Sequence, residues 1–142
     1  MPLTSAISAS ASALDAQRAR MEVAVSNMAN AESTRGADGK PYRRRDVVLR
    51  SAPIEQTFDS AMGQAGAVGV KVATVVEDQL PFKQRYEPSH PDADAQGYVQ
   101  VPNVDVPEEM VDMVSAARAY QANLSAIGLI RDTIQKALEL GR

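Results

Sequence analysis

The chain has no cysteine and no tryptophan, a single histidine, and aromatic residues at only 4% of its 142 positions. Without cysteine there is no thiolate nucleophile, no disulfide and no sulfur-ligated metal. Scarce aromatics make a large compact core hard to supply, so a monomer of this length is expected to be marginal. No apolar run approaches the roughly 20 residues of a membrane span. The N-terminus lacks the basic start and apolar block of a cleaved signal peptide, which points to the cytosol or to an export route other than Sec. Charge of one sign is also missing. Fifteen basic and 18 acidic residues leave a net charge of −3, which provides no overall field to attract nucleic acid or an anionic membrane.

What the chain does have is periodicity at its two ends. Ile7, Leu14, Met21 and Met28 stand seven residues apart, which predicts a helix from about Thr4 to Ser33, closed by Gly36. The positions between these large residues are small or polar, so the apolar stripe is thin and the helix needs a partner to be stable in water. The last third carries a second seam: Met110, Met113, Ala117, Tyr120, Leu124, Ile127, Arg131, Ile134 and Leu138 alternate spacings of three and four, and only Arg131 breaks the apolar run. Its start is well marked. Asp105 is placed to cap the helix, Pro107 falls in the first turn where its missing N–H costs little, and Glu108 follows the cap at capping-box spacing. Two such stripes can pair within one chain as a helical hairpin or pack between chains, and the two arrangements are compatible.

The middle changes period. Tyr42–Arg50 and Val68–Val76 are rich in β-branched or aromatic residues and predict short strands, with shorter ones at Phe82–Tyr86 and Tyr98–Val101. Six of the eight prolines lie between Pro41 and Pro102, which argues against any long helix there. Residues 51–67 are small and polar apart from Ile54, Phe58 and Met62 and read as a mobile loop. The expected fold is therefore α+β. Residues 1–35 form an N-terminal helix and 105–142 a C-terminal heptad helix, the two pairing in a coiled-coil-like core, with a small loop-rich β module over 36–104.

Candidate chemistry is sparse. His90 lies beside Asp92 and Asp94 in YEPSHPDADAQGY, and one imidazole with two carboxylates could in principle hold a divalent cation. No second histidine completes a site, and flanking Pro88 and Pro91 favour a structural turn. Ser89 beside His90 is not a catalytic pair, since no nucleophile-elbow sequence is present. No catalytic, cofactor-binding or metal-ligating residue is assigned. The one basic cluster, Arg43, Arg44 and Arg45 after Tyr42, reads as a solvated strand or a salt-bridged subunit contact rather than a nucleic-acid site.

Several stretches resemble a known family. SNMANAEST, from Ser26 to Thr34, is similar to the N-terminal signature of the bacterial flagellar axial proteins of rod and hook, usually close to NNLANAxT. PNVDVPEEMVDMVSAARAYQANLSAI, from Pro102 to Ile127, looks like the matching C-terminal end. The stretch from Gly69 to Asp105, together with KPYRRRDVV and the closing KALELGR, most resembles the members that build the proximal rod. Met28 stands where the family commonly has Leu, and Ser26 replaces the first Asn of its motif; both changes preserve the stripe.

The resemblance implies a non-enzymatic subunit of the flagellar basal body. Such a subunit would leave the cell through the flagellar type III export apparatus without a cleaved signal peptide. It would then polymerise in the periplasmic rod with copies of itself and with FlgB, FlgF, FlgG and FliE, with neither nucleic acid nor membrane insertion involved. The assembly interface expected on this reading comprises Ile7, Leu14, Met21, Asn27, Met28 and Asn30 on the first helix and Met110, Met113, Tyr120, Leu124, Ile127, Ile134 and Leu138 on the second. Asn27 and Asn30 are expected to satisfy or redirect backbone groups near the first helix end. A helical adaptor outside the flagellum would share the periodicity, as a well-folded monomer or small closed oligomer.

Overall fold

The computed structural model describes residues 2–36, 39–54 and 68–140. In chain order these form helix α1 (Pro2–Ala29), strands β1 (Arg45–Pro53), β2 (Val68–Glu77), β3 (Lys83–Tyr86) and β4 (Tyr98–Val101), and helix α2 (Val106–Leu140). The class is α+β, as the periodicities predict. Strand β1 pairs antiparallel with β2, and β3 antiparallel with β4, in two separate two-stranded ribbons. Between Val48 and Leu49 the β1–β2 register jumps from Thr74 to Val72. Ala73 is thus the extra residue of a bulge, which sharpens the twist of the ribbon.

The element boundaries differ from expectation at three places. Helix α1 stops at Ala29 rather than Ser33, and the residue that ends it is Asn30 rather than Gly36. The Asn30 side-chain amide donates to the Ser26 carbonyl at 2.8 Å while its backbone N–H reaches the carbonyls of Ser26 and Asn27, both at 3.2 Å. One asparagine therefore serves carbonyls that the helix end leaves open. The first strand starts at Arg45 and runs on through Pro53, so Ser51–Pro53 are ladder residues and not loop. The rest of the expected mobile loop, from 55 to 67, lies outside the described residues.

Helix α1 is the central strut. It packs against α2 on one side and against β1 and β2 on the other, while the backbone of α2 makes no close approach to the strands. Only a narrow line of α1 is exposed over its middle: Ala11, Asp15, Arg18, Glu22, Val25 and Ala29, spaced for one helix face. The ribbon approaches closely because β2 offers Gly69, where a Cβ would come within 2.6 Å of Ser12 Oγ and 2.9 Å of Ile54 Cγ1. Ser12 uses that proximity: its hydroxyl accepts from the Val70 amide at 3.1 Å and donates to the Ala9 carbonyl at 2.7 Å.

The apolar core is small, as the composition implies. Its buried hydrophobic members are Ala16, Ala24, Val99, Val101, Val104 and Ala116, and the buried polar ones are Asn27 and Glu109. Near the end of α1, Asn27 bonds to Glu109 near the start of α2, so the packed helices run antiparallel. Counting back along α1 from that bond brings Pro2 level with roughly residue 134 at equal rise per residue. The last turn and a half of α2 consequently projects past α1, with Leu138 and Leu140 exposed.

Candidate functional site

The periodicity of α2 sorts its residues into two faces. Turned inward are Glu109, Met113, Ala116, Tyr120, Asn123, Ile127, Ile130 and Ile134, all buried or half-buried, at alternating spacings of four and three. Met113, Tyr120, Ile127 and Ile134 belong to the predicted seam. Its other row, Met110, Ala117, Leu124, Arg131 and Leu138, is exposed, and the residue one position earlier takes its place in the packing. The inner row is Glu109, Ala116, Asn123 and Ile130, too polar and small to register as an apolar stripe. Ile7, Leu14, Met21 and Met28 are all half-buried along α1.

The outward side of α2 carries large apolar groups without cover in the monomer, Met110, Val111, Val114, Leu124 and Leu129, and Leu138, about five turns after inward Tyr120, is uncovered because it lies past the end of α1. Leu124 is 46% exposed and Leu138 68%. Near the helix start, Met110, Val111, Val114, Ser115 and Arg118 line a shallow depression of about 350 Å³. Large apolar groups left exposed on one helix of a small protein mark an interaction surface.

Where α1, α2 and the start of β1 meet, a polar network is buried. Asn27, 1% exposed, uses every hydrogen-bonding position of its amide. Its Nδ2 donates to the Arg45 carbonyl at 2.8 Å and to Glu109 Oε2 at 2.9 Å. Its Oδ1 accepts from the Arg45 backbone amide and from the Tyr42 hydroxyl, both at 3.0 Å. Asn27 thus bonds the backbone of Arg45 as a neighbouring strand would. The second oxygen of Glu109 takes Arg44 Nε at 2.6 Å, and Arg44 also lies 3.9 Å from Asp112. Burial disfavours the charged Arg44, but the hydrogen bond and negative charge of Glu109 outweigh it and hold the guanidinium pKa above its ordinary value. Arg44 therefore stays cationic through the neutral and mildly alkaline range.

All three arginines of the basic cluster are engaged within the chain. Arg43 donates to the Asp78 carbonyl at 2.9 Å and lies over the Phe82 ring at 4.6 Å. Arg45 pairs with Glu77 at 3.3 Å and stacks toward Tyr42. They are not a freely solvated strand: Arg44 ties the linker to α2, Arg43 ties it to the loop after β2, and Arg45 pairs across the ribbon.

The histidine turn is likewise committed to its own geometry. His90 Nδ1 accepts the Asp92 amide at 3.1 Å. Asp92 receives the Thr34 hydroxyl at 2.8 Å and faces Arg35 at 3.4 Å. Asp94 accepts the amides of Gln96 and Tyr98 at 2.9 and 2.8 Å, and Gly97 completes the turn at a φ of 84°, a conformation that favours glycine. Among the described residues no group of three or more His, Asp or Glu is placed to hold a metal ion. No helix among them is long and apolar enough to cross a membrane.

A thin hairpin, an apolar outer helix face and turns without catalytic geometry describe a part of something larger, and comparison with known proteins shows what. Residues 95–140 match the family model described as flagellar basal body rod FlgEFG protein C-terminal. Over all 142 residues, and the whole of the relative, the chain is 48% identical to the flagellar basal-body rod protein FlgC of Salmonella typhimurium. The chain belongs to the FlgC family of flagellar basal-body rod proteins. Its FlgC relative in Bacillus subtilis is 46% identical, with 96% of each chain covered. The FlgC of Borreliella burgdorferi, a distant bacterium, is 39% identical over 99% of this chain and 98% of its own. The segment matched by the FlgEFG C-terminal model takes in β4 and all of α2, and so spans Glu109 and the exposed residues of α2.

Proposed function

We propose that this chain is a non-enzymatic subunit of the proximal rod of the bacterial flagellum, polymerising through its terminal helices into the driveshaft that carries torque toward hook and filament. Family membership over the full length supports the place, and the uncovered apolar face of α2 supports the means. Copies of the same chain and the neighbouring rod subunits FlgB, FlgF, FlgG and FliE are the partners this reading assigns, and the flagellar type III apparatus is its export route.

Within this reading the thirteen residues expected at the assembly interface divide by their surroundings. Met110, Leu124 and Leu138 are exposed and touch neighbouring subunits. Met113, Tyr120, Ile127 and Ile134, with Ile7, Leu14, Met21 and Met28, are half-buried; they pack first within the hairpin and complete their burial in the rod. Asn27 and Asn30 serve the hairpin's own end, since the Asn27 amide is spent inside the chain and that of Asn30 bonds the Ser26 carbonyl. Residues 36–104 face outward from the tubular core. Stiffness follows from interlocked helices, because close-packed side chains have few alternative arrangements.

Leu124→Asp tests the proposal. A carboxylate at this site meets water in the monomer but a dry contact in the rod, where an unpaired charge costs several kcal/mol, of order ~3 or more. Cells whose only copy carries the change are expected to export the subunit yet build no hook or filament. Normal swimming would overturn the assignment of this face to assembly.

A further inference from the structure

The stripes that build the hairpin share one weakness. Ile7, Leu14, Met21 and Met28 repeat every seven residues on α1, and Met113, Tyr120, Ile127 and Ile134 repeat every seven on α2. Sliding one helix past the other by seven residues, about 10 Å at 1.5 Å per residue, lays large apolar groups against large apolar groups again. Small residues between them offer little resistance: the buried hydrophobic residues of the two helices are Ala16, Ala24 and Ala116. Apolar packing of this kind specifies that the helices pair but discriminates weakly among registers.

The polar junction does discriminate. Glu109 is 2% exposed and has two partners on two different elements, Asn27 on α1 and Arg44 on the linker before β1. A seven-residue slip would carry Glu109 either to the level of Arg20 or past Ala29, the end of α1; both leave Asn27 without a partner for Nδ2 and strip the half-buried Arg44, held beside Asn27 through Arg45, of its carboxylate. An unpaired buried charge is among the most unfavourable features a packed interface can contain. We propose that the Asn27–Glu109–Arg44 cluster is a register lock, which admits one alignment of α1 against α2 and so fixes how far α2 projects beyond α1. Because Asn27 also grips both backbone groups of Arg45, the same lock sets the ribbon's position along the hairpin. The inference concerns the single chain and stands whether or not the outer face of α2 is the assembly surface.

The absence of cysteine permits two unique spin labels, at exposed Glu22 on α1 and exposed Ser115 on α2, in the full-length purified monomer. The wild-type chain should give one distance population by pulsed electron resonance. Arg44→Met with Glu109→Leu removes the ion pair without stranding a charge. This double variant is expected to keep its helical circular dichroism and to show a second, longer-distance population, because Glu22 and Ser115 stand nearly level across the hairpin and a slip of about 10 Å along it lengthens their separation in either direction. Asp112→Asn, which removes only the 3.9 Å neighbour of Arg44, should keep a single population. One undisplaced population in the double variant would overturn the lock, because the remaining packing would then suffice to hold the register. Loss of helix in the double variant would overturn it too, by showing that the cluster is required to fold at all rather than to choose between alignments. A second population in Asp112→Asn would deny the cluster its special role.

Discussion

The two ends of the helical hairpin are built on different principles. At the junction end, Ala24, Asn27, Glu109 and Ala116 are buried, and β1 is bonded to the helices through Asn27. At the free end, from Pro2 to about Leu14 on α1 and beyond Tyr120 on α2, no side chain among the described residues is fully buried, and Leu3, Leu124, Leu129, Leu138 and Leu140 are exposed. One end satisfies its polar groups inside the chain, although Met110, Val111 and Val114 stay uncovered there, while the other buries no side chain fully. The difference teaches how a subunit can be defined in shape before assembly and still have most of its binding surface unspent.

Substitutions should separate the two ends by the size of their effect on the isolated chain. The largest is expected at the junction. Glu109→Ala strands a half-buried guanidinium and one donor of Asn27, at about 3 kcal/mol or more, read as a lowered urea midpoint. Gly69→Ala comes next, since the added methyl collides with Ser12 and Ile54. Overpacking of this kind costs about 1–3 kcal/mol, and the ribbon should lift from α1, exposing the Val70 amide to faster hydrogen exchange. Asp92→Ala follows at about 1 kcal/mol, for the hydrogen bond from Thr34 and a largely solvent-screened pair with Arg35, with no change in divalent-cation binding by calorimetry. Smallest is Leu124→Asp. With the side chain already exposed, the monomer should lose less than about 0.5 kcal/mol even as motility disappears. A Leu124→Asp monomer destabilised as much as Glu109→Ala would erase the distinction between the two ends.

Much of this contrast was legible in the residues. Seven-residue spacing of Ile7 through Met28 and the cap signals around Asp105 and Pro107 give both long helices, and the clustered Val and Thr residues give the ribbons. The inward face of α2 was harder to see, for a physical reason. An apolar seam is found by following large hydrophobes, which leads from Met113 to Met110 and Leu124. The packed row instead holds Glu109, Ala116 and Asn123, two of them polar, with Glu109 satisfied by Asn27 of α1 and Asn123 by the Ala119 carbonyl of its own helix. The junction itself joins Asn27, Arg44 and Glu109 across 82 residues of chain. Its one sequence-level hint was the opposition of charge between Arg43–Arg45 and the acidic start of α2, a pattern equally suited to a surface pair. Asn30 was nearer to reach, since an asparagine at the end of a periodic segment is an ordinary way to close a helix.

Residue-resolved hydrogen exchange of the full-length monomer tests the contrast between the two ends most directly. Protection should be strong from about residue 20 to 29 on α1 and from about 109 to 118 on α2. It should fall steadily toward Pro2 and toward Leu140, because opening of the free end breaks few buried contacts. In assembled rods the same amides should become protected throughout. Uniform protection along both helices in the isolated chain would contradict the account, since the hairpin would then be complete without its neighbours.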